Sequence, residues 1–319
     1  MSTSSLDLEA VMAIAHKYRN WGKWGPDDQL GTMNCVTSEK VVRAAALVKR
    51  GKVFSLALPF EGSGPQNGAT YGRVNPQHIM LQDGGDVASG AQSNLAVLRY
   101  TDDAVYMPLQ CGTQWDALAH IFCDGQMYNG YGPDAVNSMG ATKNSITQIG
   151  NRVVGRGVLL DIARHKGKQW LDPAEGISAE DLERCARGAG IEVDEGDFVL
   201  VRTGQLAQVR ERGGWGDYVG GSAPGLMVSA ADFFCPRNVA AVATDTWGVE
   251  VLPNETAAVF QPLHIIMLVN AGIHLGEMLD LEDLAHDCAE DSVYEFLFVA
   301  PPLPITGAVG SPINPQAIK

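Results

Sequence analysis

Four polar side chains fall within eleven residues, in the run Gln110-Cys-Gly-Thr-Gln-Trp-Asp-Ala-Leu-Ala-His120. Gln110, Gln114, Asp116 and His120 combine two neutral amides, a carboxylate and an imidazole, a set suited to acid–base work or to holding a cation. A straight strand would part Gln110 from Gln114 by roughly 13 Å. A continuous helix pairs Gln110 with Gln114 and Asp116 with His120, but on different faces. The spacing predicts a break near Gly112 and then a helical turn carrying Asp116 and His120 together. A polar loop entering a core helix accounts for the same spacing equally well.

Two further residues shift that balance. His264 lies in the apolar run Val259 to Leu268, and Glu277 precedes Met278-Leu279. Alone, such a histidine is more often a hydrogen-bonded core residue, and such a glutamate a helix-start residue facing water. Taken with Asp116 and His120, they make two imidazoles and two carboxylates, an ordinary ligand set for zinc or manganese. A metal there would activate a water at neutral pH and polarise a carbonyl. Asp161, Asp197 and Asp245 border apolar runs, where capping or turn duty explains them. Cys111 and Cys123 lack clearly cationic neighbours and read as buried thiols rather than nucleophiles.

The elements that must position these groups alternate between helices and short strands. Helical spacing covers Leu6 to Tyr18, and Thr37-Ser-Glu-Lys opens a helix that Gly51 stops. Strands are predicted at Val53–Leu58, Gly157–Asp161, Asp197–Gly204, Val239–Thr244, Leu263–Asn270 and Tyr294–Ala300. Helices are predicted over Ser178–Gly188 and residues 280–289, and a Pro-rich tail ends the sequence. Residues 61–93 read as a long Gly-rich loop, which in a compact domain serves as a lid, an excursion over a site or an oligomer arm. This pattern indicates one α/β or α+β domain spanning 1–319.

Composition excludes several classes. The 319 residues carry a formal net charge of −14, which disfavours nucleic acid or an anionic membrane as partner. An anionic substrate would need local arginines. No apolar run is long enough to span a bilayer and no leader pattern opens the sequence, so a cytoplasmic location is expected. The six cysteines show no Cys-x-x-Cys pair, so reduced thiols are expected and a zinc finger is not. Neither a Gly-x-Gly-x-x-Gly fingerprint, nor a phosphate-binding loop, nor a Gly-x-Ser-x-Gly elbow is present.

The sequence resembles the cyclase family of metal-dependent hydrolases, which includes kynurenine formamidase and isatin hydrolase. The resemblance runs through Trp24-Gly-Pro-Asp-Asp-Gln-Leu-Gly-Thr-Met-Asn34, Gly51-Lys-Val-Phe-Ser-Leu56, Gly157-Val-Leu-Leu-Asp161 and Gly196 to Gly204. Asp245-Thr-Trp247, Pro262-Leu-His264 and Gly272-Ile-His-Leu-Gly-Glu277 complete it. The family signature is His-x-Gly-Thr-His-x-Asp-x-x-x-His. Gly112, Thr113, Asp116 and His120 match it, while Gln110 and Gln114 replace two histidines, as in the branch that contains trans-dienelactone hydrolase.

The resemblance implies a single α/β domain with a mixed, barrel-like β core of the swivelling β/β/α kind, assembled as a homodimer or homotetramer. It implies one or two zinc or manganese ions held by Gln110, Gln114, Asp116, His264 and Glu277, with His120 as the acid/base residue. The activity it implies is opening of a small cyclic ester, trans-dienelactone giving maleylacetate in chloroaromatic breakdown. Arylformamidase or isatin-type amide hydrolysis is the alternative within enzymes, and a metal-free binding protein the alternative outside them. Such a lactone carries a carboxylate, which nominates Arg73 or Arg202 to pair with it. Trp115, Trp247 and His78 are nominated for the pocket wall.

Overall fold

The computed structural model describes residues 6–68 and 72–319. Residues 1–5, where no leader pattern is read, and 69–71 of the expected 61–93 loop lie outside that range. Nine strands build the central sheet. In chain order they are β1 (Val53–Ser55), β2 (Gln114–Asp116), β3 (Val154–Asp161), β4 (Phe198–Arg202), β5 (Ala241–Thr244), β6 (His274–Glu277), β7 (Glu295–Val299), β8 (Gly310–Pro312) and β9 (Gln316–Ile318). Their spatial order is β1-β9-β7-β3-β4-β5-β6-β2-β8. The four central strands β3 to β6 are parallel. Antiparallel strands extend the sheet on both sides, and it curls into a half-barrel within a single α/β domain.

Both sheet faces are buried, which is why the parallel strands read as unbroken apolar runs. Val158 and Leu160 face one core, shared with Leu182, Cys185, Ile266 and Met267. Leu159 faces the other, with Phe198, Phe296, Phe298 and Leu284. Five helices pack around this frame: α1 (Leu8–Lys17), α2 (Ser38–Ala45), α3 (Ala179–Gly188), α4 (Gln205–Arg212) and α5 (Glu282–Asp291). Three of their starts follow capping chemistry: Asp7 accepts from the Ala10 N–H, Thr37 from Lys40, and Ser178 and Asp181 form a capping box.

Three expectations change. The strand expected over Leu263–Asn270 is instead an α-turn, Pro262–His264, that runs on as a π-helix, Ile265–Ala271. Pro262 suits a first helical turn, and a segment buried on every side carries no period to separate helix from strand. The Pro-rich tail supplies β8 and β9. The 61–93 region contains a helix, Gly84–Ser89, and a strand, Gln77–Gln82, which pairs with Asp102–Tyr106 in a hairpin. All six cysteines are free thiols, and among the described residues no helix is long and apolar enough to cross a membrane.

Candidate metal centre

Strand β2 lies between β6 and β8, with Gln114 opposite Glu277 and Asp116 opposite Leu275. Alternation sends Gln114, Asp116 and Glu277 out of one face and Trp115 out of the other. Gly276 makes this pairing fit, because a Cβ there would come within 2.5 Å of the Trp115 ring. Trp115 is fully buried, donates from Nε1 to the Ala300 carbonyl at 2.9 Å and meets Phe298 edge-on. It is therefore a core residue on the far face of the sheet, which corrects its nomination to the pocket wall.

The helical turn expected around Asp116 is a strand end followed by a tight turn. Thr113 commits the segment to the sheet: its Oγ accepts from the Leu58 N–H at 2.8 Å and donates to the Met278 carbonyl at 2.6 Å. The chain then folds back, with the His120 N–H on the Ala117 carbonyl. His120 Nε2 is thereby brought within 3.9 Å of Asp116 Oδ1.

His264 enters from the start of the π-helix. Its Nε2 lies 3.5 Å from Glu277 Oε1 and 3.9 Å from Asp116 Oδ2. One ligand atom each from Asp116, His264 and Glu277 falls within 4.8 Å of the others, and all three residues are buried. Gln114 Nε2 donates to Glu277 Oε2 at 2.8 Å, leaving Gln114 Oε1 and Asp116 Oδ2 buried without a hydrogen-bond partner. Buried orphan acceptors beside two carboxylates and an imidazole are the donor set that a divalent cation such as zinc or manganese satisfies. The residues present fit the metal. Gln110 stands apart: its unpartnered Nε2 packs where a Gly310 Cβ would sit, and it makes no hydrogen bond to this group.

Electrostatics agree with a cation site. Burial pushes the Asp116 carboxyl up to about 6; the Glu277 charge adds to this, and His120 and His264 oppose it. Burial alone would lower His264, but hydrogen bonds to Glu250 and Glu277 override it and lift the imidazole to about 10. His264 as imidazolium supplies the positive charge two carboxylates demand. A cation binding there takes over that role and releases the proton.

Glu250 is the residue that sequence reasoning missed. Its Oε1 accepts both the His264 ring Nδ1–H (2.6 Å) and the His264 backbone N–H (2.8 Å). That assignment of the ring proton leaves Nε2 facing Asp116 and Glu277. Val249, held at φ 60°, sets the backbone just before it. The one available signal was an acid inside the apolar stretch Trp247–Leu252, costly to bury without a partner.

Asp116, His264 and Glu277 open onto a cleft of about 970 Å³, with His120 and Arg73 on its walls and Trp247 and Phe260 adding aromatic surface. Arg73 is the only lysine or arginine lining it and makes no ion pair among the described residues; its Nη1 reaches the Gln110 carbonyl at 3.4 Å. Arg202 is elsewhere. It is buried, with Nη1 2.8 Å from Asp161 and a two-pronged contact to Glu282 at 2.9 and 2.8 Å. It is a strut between β3, β4 and α5, not a substrate contact. His78 is exposed on the hairpin, paired with Asp103 at 2.7 Å, and lines no part of the cleft.

The Cyclase family's sequence model, described as "Putative cyclase", matches residues 54–251, a span that holds Asp116, His120 and Glu250. No curated protein matches the sequence. A crystal structure of a novel cyclase superposes with a TM-score of 0.87 at 37% identity, covering 96% of this chain and 99% of that one. Isatin hydrolase A from Ralstonia solanacearum shares the fold with a TM-score of 0.64 at 20% identity, over 88% of this chain and 97% of its own. A potential metal-dependent hydrolase with cyclase activity does so at 0.53 and 19%, over 83% and 98%.

Proposed function

This chain belongs to the Cyclase family, and from that premise we propose that it is a metal-dependent hydrolase opening a small cyclic ester that carries a carboxylate. The observation that carries the reading is the buried convergence of Asp116, His264 and Glu277 at the cleft, with Asp116 Oδ2 lacking a partner. Gln114, whose Oε1 is buried without a partner, would complete the set. A divalent ion held there supplies Lewis-acid polarisation of a carbonyl and a more acidic water. His120, partly exposed on the cleft wall beside Asp116, accepts a proton from the attacking water and returns it to the leaving oxygen. Glu250 fixes the His264 ring. Arg73 pairs with the substrate carboxylate, and Trp247 and Phe260 flank the ring being opened.

Within this class the favoured substrate is an unsaturated lactone of the trans-dienelactone kind. An enolate leaving group needs less protonation than an amine, which suits a site where the amide of Gln114 stands in place of an imidazole. A second reading, cyclic amide hydrolysis of the isatin type, draws on the aromatic wall and on the isatin hydrolases that share the fold.

Elemental analysis of wild type and Asp116→Ala tests the proposal, followed by a panel of carboxylated lactones and lactams. The expected result is about one zinc or manganese per chain, lost in the variant, and faster turnover of lactones. Protein that holds no metal and takes up none from added zinc refutes it and makes the cleft a binding site.

A further inference from the structure

Among the described residues Arg73 makes one hydrogen bond, from Nη1 to the Gln110 carbonyl at 3.4 Å. So long a bond is a weak hold on a long, rotatable side chain. What fixes its backbone lies two residues on. Asn75 Oδ1 accepts from the Gln66 N–H at 2.8 Å, and Asn75 Nδ2 donates to the Gln66 carbonyl at 2.9 Å. One side chain thus supplies both hydrogen bonds that a paired strand would give to Gln66. Gln66 is itself anchored: 8% exposed, it donates from Nε2 to the Cys111 carbonyl at 2.9 Å. Gln66 and Arg73 therefore grip adjacent carbonyls just ahead of β2. Trp215 Nε1 holds the Ser63 carbonyl at 2.7 Å and Asn67 Nδ2 reaches the Val219 carbonyl at 3.1 Å, which ties down the same stretch. Gly64 leaves the Asn75 amide its room, since a Cβ there would lie 2.8 Å from Oδ1. The strand that follows, Gln77–Gln82, is exposed over all but its last residue and lends Arg73 little support.

We propose that Asn75 is a positioning residue for substrate recognition: clipped to Gln66, it sets residue 73 so that the guanidinium meets a carboxylate in the cleft. This rests on the assignment of Arg73 to the substrate carboxylate and adds the means by which that contact is made. The two Asn75 bonds join loop to loop and add nothing to the central sheet, so what they order is the stretch that bears Arg73. Ordering matters because a guanidinium grips a carboxylate through two parallel bonds, and a displacement of about 1 Å loses one of them. An arginine on an untethered loop is in place only part of the time, and apparent affinity falls by that fraction. A clip made before the ligand arrives keeps the fraction near one and removes the entropy of ordering the loop from the binding step. Asn75 itself lines no part of the cleft.

Titration calorimetry on the full chain with 2-furoate, a ring carboxylate that has no ester to cleave, reads this contact without turnover. Asn75→Ala weakens binding about three- to tenfold, and Arg73→Met weakens it further. In the Arg73→Met background Asn75→Ala adds less than about 1.5-fold, because it acts only through that side chain. Should Asn75→Ala misfold, Gly64→Ala decides: it crowds the Asn75 amide while leaving that residue in the chain, and weakens binding to a similar extent. Wild-type affinity in the Asn75 and Gly64 variants, beside a weakened Arg73→Met, overturns the clip and leaves the carboxylate assignment standing. A loss from Asn75→Ala that is as large in the Arg73→Met background as in wild type makes Asn75 general scaffolding and also overturns it. Wild type that does not bind 2-furoate, or an affinity that Arg73→Met does not change, overturns the clip and the carboxylate assignment together.

Discussion

Glu250→Gln isolates the part of the centre that touches no ligand atom. One oxygen of Glu250 receives two hydrogen bonds from His264, through the ring at 2.6 Å and the backbone at 2.8 Å. The glutamine amide keeps the size and can still accept, but the charge is gone. Bonds to a charged acceptor contribute about 1.5–3 kcal/mol, against about 0.5–1.5 kcal/mol for neutral ones. Only the ring bond bears on how strongly Nε2 donates to an ion, so the loss is about 1–2.5 kcal/mol, or roughly five- to 70-fold in metal affinity. Zinc titration against a competing chelator measures it, with the unfolding transition as a check on folding. If Glu250→Gln binds zinc within twofold of wild type, the carboxylate does not set the His264 ring and the reasoning fails.

Three further outcomes follow from other parts of the structure. Arg73→Met raises KM for a carboxylate-bearing lactone about ten- to 100-fold and leaves an uncharged lactone nearly unaffected. Arg202→Met, by contrast, takes the guanidinium from Glu282 and leaves the buried Asp161 with Arg164 alone, and lowers stability by about 3–5 kcal/mol in denaturant unfolding. Burial alone would raise Asp287, but Lys52, Lys319 and Arg50 hold its carboxyl well below the usual carboxylate range. A depressed folded pKa gives stability that is present above the unfolded value of about 3.9 and is lost as pH falls through the folded one. Asp287→Asn therefore lowers Tm at pH 7, and calorimetry shows the gap to wild type narrowing as pH falls below about 4.

The parts of the molecule that were legible are those where one physical cause dominates a stretch of residues. Strands β3, β4 and β5 declare themselves because burial on both faces demands unbroken apolar runs, and α3 because Ser178 and Asp181 cap it within four residues. The π-helix was misread because full burial erases the helical period. Strands β8 and β9, three residues each, the first ending in Pro312 and the second following Pro315, are too short for alternation to register. Asp116, His120, His264 and Glu277 could be nominated by residue chemistry and resemblance. Glu250 could not, since its role exists only once Val249 turns the chain and the π-helix brings His264 alongside. Arg202 and Arg73 look alike in sequence; only the placement of Asp161 and Glu282 tells a strut from a cation on the cleft wall.

The pairing of β2 also bears on the order in which the chain is made. This strand is made before both of its neighbours, His274–Glu277 and Gly310–Pro312, which come from far later in the chain. Until residue 312 has left the ribosome, Gln114 to Asp116 present an unpaired edge whose inward-facing Trp115 lacks its full surroundings. Asp116 and Glu277 come side by side only once His274–Glu277 has paired with this strand. A chain interrupted before β8 would be recognisable to proteases and chaperones by that open edge, while one that has closed it already has its Asp116–Glu277 face assembled.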